Sequence, residues 1–538
     1  MKYITSLLKV NSLSKEEIKY QLLFLSKEAL NHIILESRCG ISTNYKNLKE
    51  NFKKDEIYLF KNNNPLICVY KKAKPNIYSS KYSKTWDDTT FKKDIPISSN
   101  ALMTLSLLEL SLYYDKFKNI DSTLYKKSIL YKNLCKLQLD FYYNYLRNSE
   151  GFFVDKKNDD TSNKHHLNIS ESEEEVSYGD QAFMMLAYYM YSKINTSDKD
   201  SKVYEDFALQ ILNMFTNFKE EIYSLSLEEC CKITFCLNKM LCFGDEEDCK
   251  LLILDLSDFI LNKYREANNT FSNLETTSFL ALNLYLSYKN TNILLFKEAY
   301  LDLIELFINM FNEEKEIILK GTDKKEIKYS NIEICLYITN LLLSFDLEED
   351  LKEKREILIS KMYKNYIVNS GLVTSFPEAP NLDSKERYMN FSIEEGEEIK
   401  ETYFRMNNAI NPSLSGLAPI FTKNLKYSLK KSTFIADKTT FDSTKNMFIF
   451  FIFIDSFLKP YLDFVKKVHK EDKINSPKTC HPIDSIKFDE KENKEKKVDL
   501  IDSKEKDNMI SKKENSKENQ NKTLQDKANE LLKTTDLN

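Results

Sequence analysis

Apolar residues recur every three or four positions over most of the first 465 residues, the period of a helix with one buried face. Two kinds of helix alternate. In "LEEDLKEKREILISKMYKNYI" the Glu and Lys fall on one stripe and the Leu, Ile and Met on another, as in a helix with one side in water. "DQAFMMLAYYMY" and "ETTSFLALNLYL" are apolar nearly all round and predict helices enclosed on every side. The first kind is expected at roughly Lys15 to Arg38, Ser122 to Arg147, Lys202 to Phe218, Glu246 to Glu266, Asn292 to Glu314 and Leu347 to Val368. Ser14 with Glu17 forms a capping box for the first of these. The second kind is expected at roughly Ser99 to Phe117, Asp180 to Ile194, Leu227 to Phe243, Glu275 to Tyr288, Asn331 to Phe345 and Ser443 to Phe464.

A repeat accompanies the alternation. Five segments align without gaps, starting at Tyr143, Asn213, Asn262, Asn309 and Lys364. Their third column is aromatic (Tyr145, Phe215, Tyr264, Phe311, Tyr366) and their tenth apolar (Phe152, Ile222, Phe271, Ile318, Val373). A weaker sixth copy starts at His32, with Ile34 in the aromatic column. Each copy closes a helix, passes through polar or Gly residues and leaves in a short extended piece. Six half-wetted and six enclosed helices are the count for a closed ring of two concentric layers. The expected fold is therefore all-α, an (α/α)6 toroid over residues 1–465. Links from an inner to the next outer helix are short ("KNID", "NTSDKD", "GD", "KN"), whereas the outer-to-inner links 39–98, 148–179 and 369–442 are long. In a ring of hairpins those long links share one face, where a ligand would bind.

Composition narrows the function. With 8 Gly and 10 Pro, the chain has too few turn residues for a β-sandwich or a nucleotide-binding sheet. A net charge of −4, from 78 basic and 82 acidic residues, provides no field to draw in nucleic acid or anionic lipid. The N-terminus has no long apolar core of a secretory leader, and the run Met447 to Ile454 is cut by Asp455 well short of the ~20 residues a membrane crossing needs. A buried helix is expected there, and no membrane contact. Ten scattered Cys predict reduced, mostly buried thiols, and the expected compartment is the cytoplasm. Five His without helical or Cys/His ligand spacing predict no metal, and no phosphate-binding or dinucleotide motif calls for a cofactor. Residues 466–538, rich in Lys, Glu and Asn, lack the apolar surface to offset chain entropy and are expected to form a disordered tail that could carry a docking peptide for a protein partner.

Six helical hairpins with extended turns such as "NSEGFF" and "NSGLV" leading into the inner helices resemble the α/α-toroid proteins, including the six-hairpin glycosidases. The resemblance is architectural, covers roughly Lys15 to Phe464 and implies a cleft over the inner-helix N-termini with a carbohydrate ligand. It carries over no residue assignments. The residues themselves supply candidates. Trp86, the single tryptophan, stands beside Asp87 and Asp88 on the first long link, where an aromatic face and carboxylates suit a sugar. Tyr178 and Asp180 open one inner helix and Glu275 another, where acids also serve simply as caps in the helix dipole. Asp180, Glu275, Asp87 and Asp88 are the acid–base candidates, since glycoside chemistry needs two facing carboxyl groups. Glu378, Arg387, Tyr388 and Arg405 on the last long link are candidates for gripping the ligand, the arginines for an acidic group. Two readings stay open: a carbohydrate-active enzyme, as a glycoside hydrolase, lyase or epimerase, or a non-catalytic helical scaffold that binds protein.

Overall fold

The computed structural model describes residues 13–43, 64–79, 84–159, 168–171, 176–267, 273–320, 325–347, 352–378, 386 and 416–458. Among the described residues, twelve long helices follow one another. The outer ones are α1 (Lys15–Leu35), α3 (Ser122–Tyr145), α5 (Ser201–Asn217), α7 (Glu247–Glu266), α9 (Leu294–Met310) and α11 (Lys352–Met362). The inner ones are α2 (Ile97–Asp115), α4 (Tyr178–Ile194), α6 (Leu227–Met240), α8 (Leu274–Thr291), α10 (Asn331–Ser344) and α12, residues 443–458. Successive inner helices from α2 to α10 pack on one another, and each packs on the outer helix of its own hairpin or the next. This layering is why the inner helices carry no polar face. In α4, thirteen residues from Gly179 to Ser192 are buried, whereas α5 buries only Tyr204, Ala208, Leu212 and Phe215.

Local chemistry sets most helix ends where the pattern placed them. Ser14 accepts from the Glu17 amide while Glu17 reaches back to the Ser14 amide, completing the predicted box. Asp121 caps α3 through the Thr123 and Leu124 amides. Three ends differ. The first helix stops at Leu35, because Arg38 adopts φ 59°, in the left-handed region that no helix tolerates. The fifth outer helix stops at Met310, because Phe311–Asn312 pairs with Ile317–Ile318 as a small hairpin. The sixth, α11, is followed by a π-helical turn, Tyr363–Val368.

The repeat columns have mixed fates. Phe215, Phe311 and Tyr366 are buried, and so are Ile222, Ile318 and Val373; Phe271 lies outside the described residues. In the copy from Tyr143 the buried side chain is Phe153, one residue past the expected Phe152, because Gly151 at φ 93° turns the chain. In the copy from Asn213 the exit is a short helix, Lys219–Ser224, in place of an extended piece.

The outer-to-inner links, read from sequence as loops, contain short strands that pair with one another. Lys72–Ala73 pairs with Phe441–Asp442, Asp94–Ile95 with Lys156–Asn158, and Glu326–Ser330 with Asn424–Ser428. Several of these strands run directly into inner helices α2, α10 and α12, so the long links meet at the inner-helix N-termini. Strands of two to five residues are too short to show an alternating pattern in sequence.

Closure joins the first hairpin to the last. Ser99 on α2 lies 3.0 Å from Ser443 and 3.1 Å from Thr444 on α12, and Tyr363, following α11, donates to Gln21 on α1 at 2.6 Å. The hub is filled by aromatic rings. Phe448 and Phe451 of α12 reach across to Phe279 (5.3 Å) and Phe235 (6.1 Å), which meet each other at 5.6 Å. The apolar run from Met447 to Ile454 is thus a buried core helix, and no helix among the described residues is long and apolar enough to cross a membrane. The described cysteines are free thiols, buried except for Cys242.

Further along the hub lies a buried ion pair, Lys239 on α6 with Asp455 on α12 at 2.5 Å. Burial works against the lysine charge, but Asp455, backed by Cys242 and Glu109, outweighs it and raises the Lys239 pKa. Replacing Asp455→Ala strands that cation in the core, and urea unfolding is expected to show a loss of about 3–5 kcal/mol. The double replacement Lys239→Met with Asp455→Leu should recover most of it, which separates the stranded charge from lost packing.

Candidate functional site

Five inner helices begin with a polar cap whose side chain accepts the amide three residues on, α12 among them, where Asp442 accepts from the Lys445 amide. Ser177 takes that of Asp180, Ser226 that of Glu229, Asn273 that of Thr276 and Ser330 that of Glu333. Three acids, Asp180, Glu229 and Glu333, therefore occupy equivalent places in their first turns, and Glu275 stands one residue before Thr276. At α4 and α6, Glu229 accepts from Ser177 Oγ (2.9 Å) and the Gly179 amide (2.8 Å), and Lys232 Nζ lies 2.7 Å from its other oxygen. Burial raises the Glu229 pKa, but Lys232 and these donors pull it below the usual carboxylate value. Asp180, half-buried, adds its charge to Glu229 and Glu228 in holding Lys232 protonated. Tyr178 points elsewhere, donating to Glu221 at 2.6 Å on the short helix Lys219–Ser224.

At α8 and α10, Ser330 Oγ donates to Glu275. Glu333 is only 5% exposed and pairs with Lys320, whose ammonium also donates to the Lys328 carbonyl at 2.8 Å and sits 5.2 Å over the Tyr329 ring. Burial pushes the Glu333 pKa up, Lys320 pulls it down, Glu275 adds to the rise, and the net shift is upward. Two sequence candidates, Asp180 and Glu275, thus belong to separate clusters, with α6 standing between α4 and α8. Glu229 and Glu333 had escaped notice, although the repeated Ser-x-x-Glu spacing at inner-helix starts signals both.

A different part of the face holds an open cleft of about 580 Å³, lined by Arg38, Gly40, Tyr70, Tyr78, Thr85, Trp86, Asp87, Asp88, Phe91 and Lys93. Here the strand Gly40–Ser42 pairs with Leu66–Val69, so closely that a Cβ at Gly40 would sit 1.9 Å from the Cys68 carbonyl oxygen. Asp87 caps a 3₁₀ turn, accepting from the Thr89 amide (3.1 Å) and hydroxyl (2.6 Å), and Asp88 is exposed. Trp86 departs from the stacking role read from sequence. Only 4% of it is exposed, its indole N–H donates to His32 and its ring packs edge-on against Phe441. The exposed aromatic face is that of Tyr78, at 54%. Its strand, Tyr78–Ser79, pairs with Lys84–Thr85 just ahead of Trp86. Nothing in the sequence separates Tyr78 from the many other tyrosines.

Among the remaining candidates, Glu378 is exposed, whereas Arg387, Tyr388 and Arg405 lie outside the described residues, as does the tail. No group of three or more His, Cys, Asp or Glu suited to a metal ion occurs among the described residues. A second cavity, about 470 Å³, lies between α9 and α11 on the outer layer, lined by Phe311, Ile357, Leu358 and the cations Lys354, Arg355 and Lys361, among others.

Two closed layers of six helices, with paired connectors at the inner-helix N-termini, define an (α/α)6 toroid. No protein-family model matches the chain, and no curated protein matches it in sequence. In fold the chain is similar to D-mannose isomerase, at 10% identity and a TM-score of 0.43, over 74% of this chain and 91% of that one. It is similar also to a variant of unsaturated glucuronyl hydrolase from Streptococcus agalactiae, at 15% identity and 0.37, over 84% and 92%. Cellobiose 2-epimerase from Bacillus thermoamylovorans is a third, at 9% identity and 0.41, over 72% and 92%.

The upward shift at Glu333 has a defined sign in stability. A carboxyl whose folded pKa is raised contributes stability that is fully present below the unfolded value and is lost as pH rises through the folded one. Urea midpoints measured from acid to neutral pH should show this loss in the wild type, and Glu333→Gln should remove that part of the slope. An identical slope in the variant would contradict the shift.

Proposed function

We propose that this chain is a carbohydrate-active enzyme of the toroid type, a hydrolase, lyase or epimerase, with the cleft beside Trp86 as its sugar seat. One observation supports the reading above others: the exposed face of Tyr78 shares an open cleft of about 580 Å³ with the carboxylates Asp87 and Asp88 and the cations Arg38 and Lys93. A sugar ring has an apolar C–H face that an aromatic side chain can cover, and hydroxyls that carboxylates and guanidinium groups bond. Tyr78 is assigned the stacking role, with Asp88 and the unengaged oxygen of Asp87 taking hydroxyls. The acid–base candidates for that cleft are Asp87 and Asp88, which line it, whereas Asp180 and Glu275 stand at helix starts outside it.

The filled hub favours a second reading, a scaffold that binds without turnover, because Phe235, Phe279, Phe448 and Phe451 occupy the centre of the ring.

A panel of mono- and oligosaccharides, scored for binding by calorimetry and for turnover by product analysis, tests both. Tyr78→Ala is expected to weaken sugar binding about tenfold, while Asp88→Asn leaves binding nearly intact and lowers turnover by about 10²–10⁴-fold, the usual size of a general acid or base contribution. Binding without turnover in the wild type would favour the scaffold, and no binding of any sugar would remove the cleft assignment.

A further inference from the structure

Trp86 is held by a chain of two hydrogen bonds that the sugar reading does not use. Its indole Nε1 lies 2.9 Å from His32 Nε2, and His32 Nδ1 lies 2.9 Å from Oε2 of Glu36, the residue that caps the C-terminus of α1. The three groups differ in what they can give. An indole N–H only donates and a carboxylate only accepts, so the imidazole between them must accept at Nε2 and donate from Nδ1. Only one of its forms does both, the neutral Nδ1–H tautomer. The imidazolium carries protons on both nitrogens and would set an N–H against the N–H of Trp86.

Little else can absorb that conflict. The His32 side chain is 11% exposed and Trp86 4%, the Trp86 amide is tied to the Ser37 carbonyl at 3.1 Å, and the indole packs against Phe441 at a centroid distance of 5.2 Å. Trp86 in turn lines the cleft with Asp87 and Asp88, the two residues that follow it.

We infer that Glu36 and His32 are positioning residues for the cleft: together they lock Trp86 in place through the neutral His32 tautomer, and protonation of His32 releases the indole. The charged groups bordering the pair are Glu36 and Arg38 beyond the end of α1, Asp87 and Asp88 after Trp86, and Lys72 with Asp442 beside Phe441, 4.0 Å apart. None of these residue types ordinarily changes charge between pH 5 and 8, whereas histidine does. The proton comes from solvent, and no other bond is made or broken.

Trp86 is the only tryptophan in the chain, so its emission reports this site without labelling. Titrating the full-length protein from pH 8 to pH 5 should produce a reversible change in emission intensity and wavelength, with far-UV circular dichroism constant. His32→Gln, whose amide oxygen can still accept from the indole but does not titrate, should keep the emission of the high-pH state throughout. A flat wild-type titration, or an equal transition in His32→Gln, would overturn the inference. If His32→Gln fails to fold, nitrogen NMR of histidine-labelled wild type decides the same question: His32 must be the Nδ1–H tautomer at pH 8, and the Nε2–H tautomer would refute the lock. The consequence for affinity rests on the cleft being the sugar seat, but the emission titration needs no ligand. A pH transition with no sugar binding would therefore sustain the lock and remove only the cleft reading.

Discussion

The rest of the structure depends on joining the first hairpin to the last across more than three hundred residues of chain. Six hairpins side by side would leave two bare flanks if they did not meet, and the inner helices have no polar face to offer water. Closure removes both flanks at once. It is made at several levels of the same seam: Gln21 with Tyr363 between outer elements, Ser99 with Ser443 and Thr444 between inner helices, and the strand Lys72–Ala73 with Phe441–Asp442 among the connectors. Each bond is modest alone, on the order of 1 kcal/mol. Their effect is to commit α12 to the centre, where Phe448 and Phe451 complete a hub worth about 1.5–3 kcal/mol for each ring buried.

A hub packed with phenyl rings pushes any ligand chemistry outward, to where the inner helices begin and the connectors pair. There the backbone needs caps, and acids are favoured by the helix dipole whether or not they react with anything. Asp180 and Glu229 are largely accounted for in this way, held with Ser177, Gly179 and Lys232 in a network of caps and ion pairs. Glu333 differs in being buried with its pKa raised beside a second carboxylate. The Trp86 cleft differs again, because its aromatic and charged residues come from connectors and not from helix starts.

Trp86 belongs both to the cleft and to the closure. Its ring packs on Phe441, two residues before α12, and its indole and amide bond to His32 on α1 and to Ser37 just beyond it. The residue that lines the cleft is thus also a stitch in the seam, which accounts for its burial better than a stacking role does. A cleft built on the closure seam inherits the rigidity of the ring on one side, while exposed side chains such as Tyr78 and Asp88 face solvent on the other.

The layered architecture was legible because helix period and all-round apolarity are local properties of the chain. "DQAFMMLAYYMY" can only be an inner helix, wherever its neighbours stand, and Ser14 with Glu17 or Ser330 with Glu333 mark helix starts within four residues. Other features depended on residues far apart in sequence. That Trp86 bonds His32 and faces inward, that Tyr78 takes the exposed position, that Glu275 meets Ser330 and not Asp180, and that α12 plugs the hub all follow from contacts between separate hairpins. A side chain's period reveals which way it faces on its own helix. Only the closed ring decides what it faces, because the cost of burying each polar group and the gain from each aromatic contact are settled by partners that the chain brings together last.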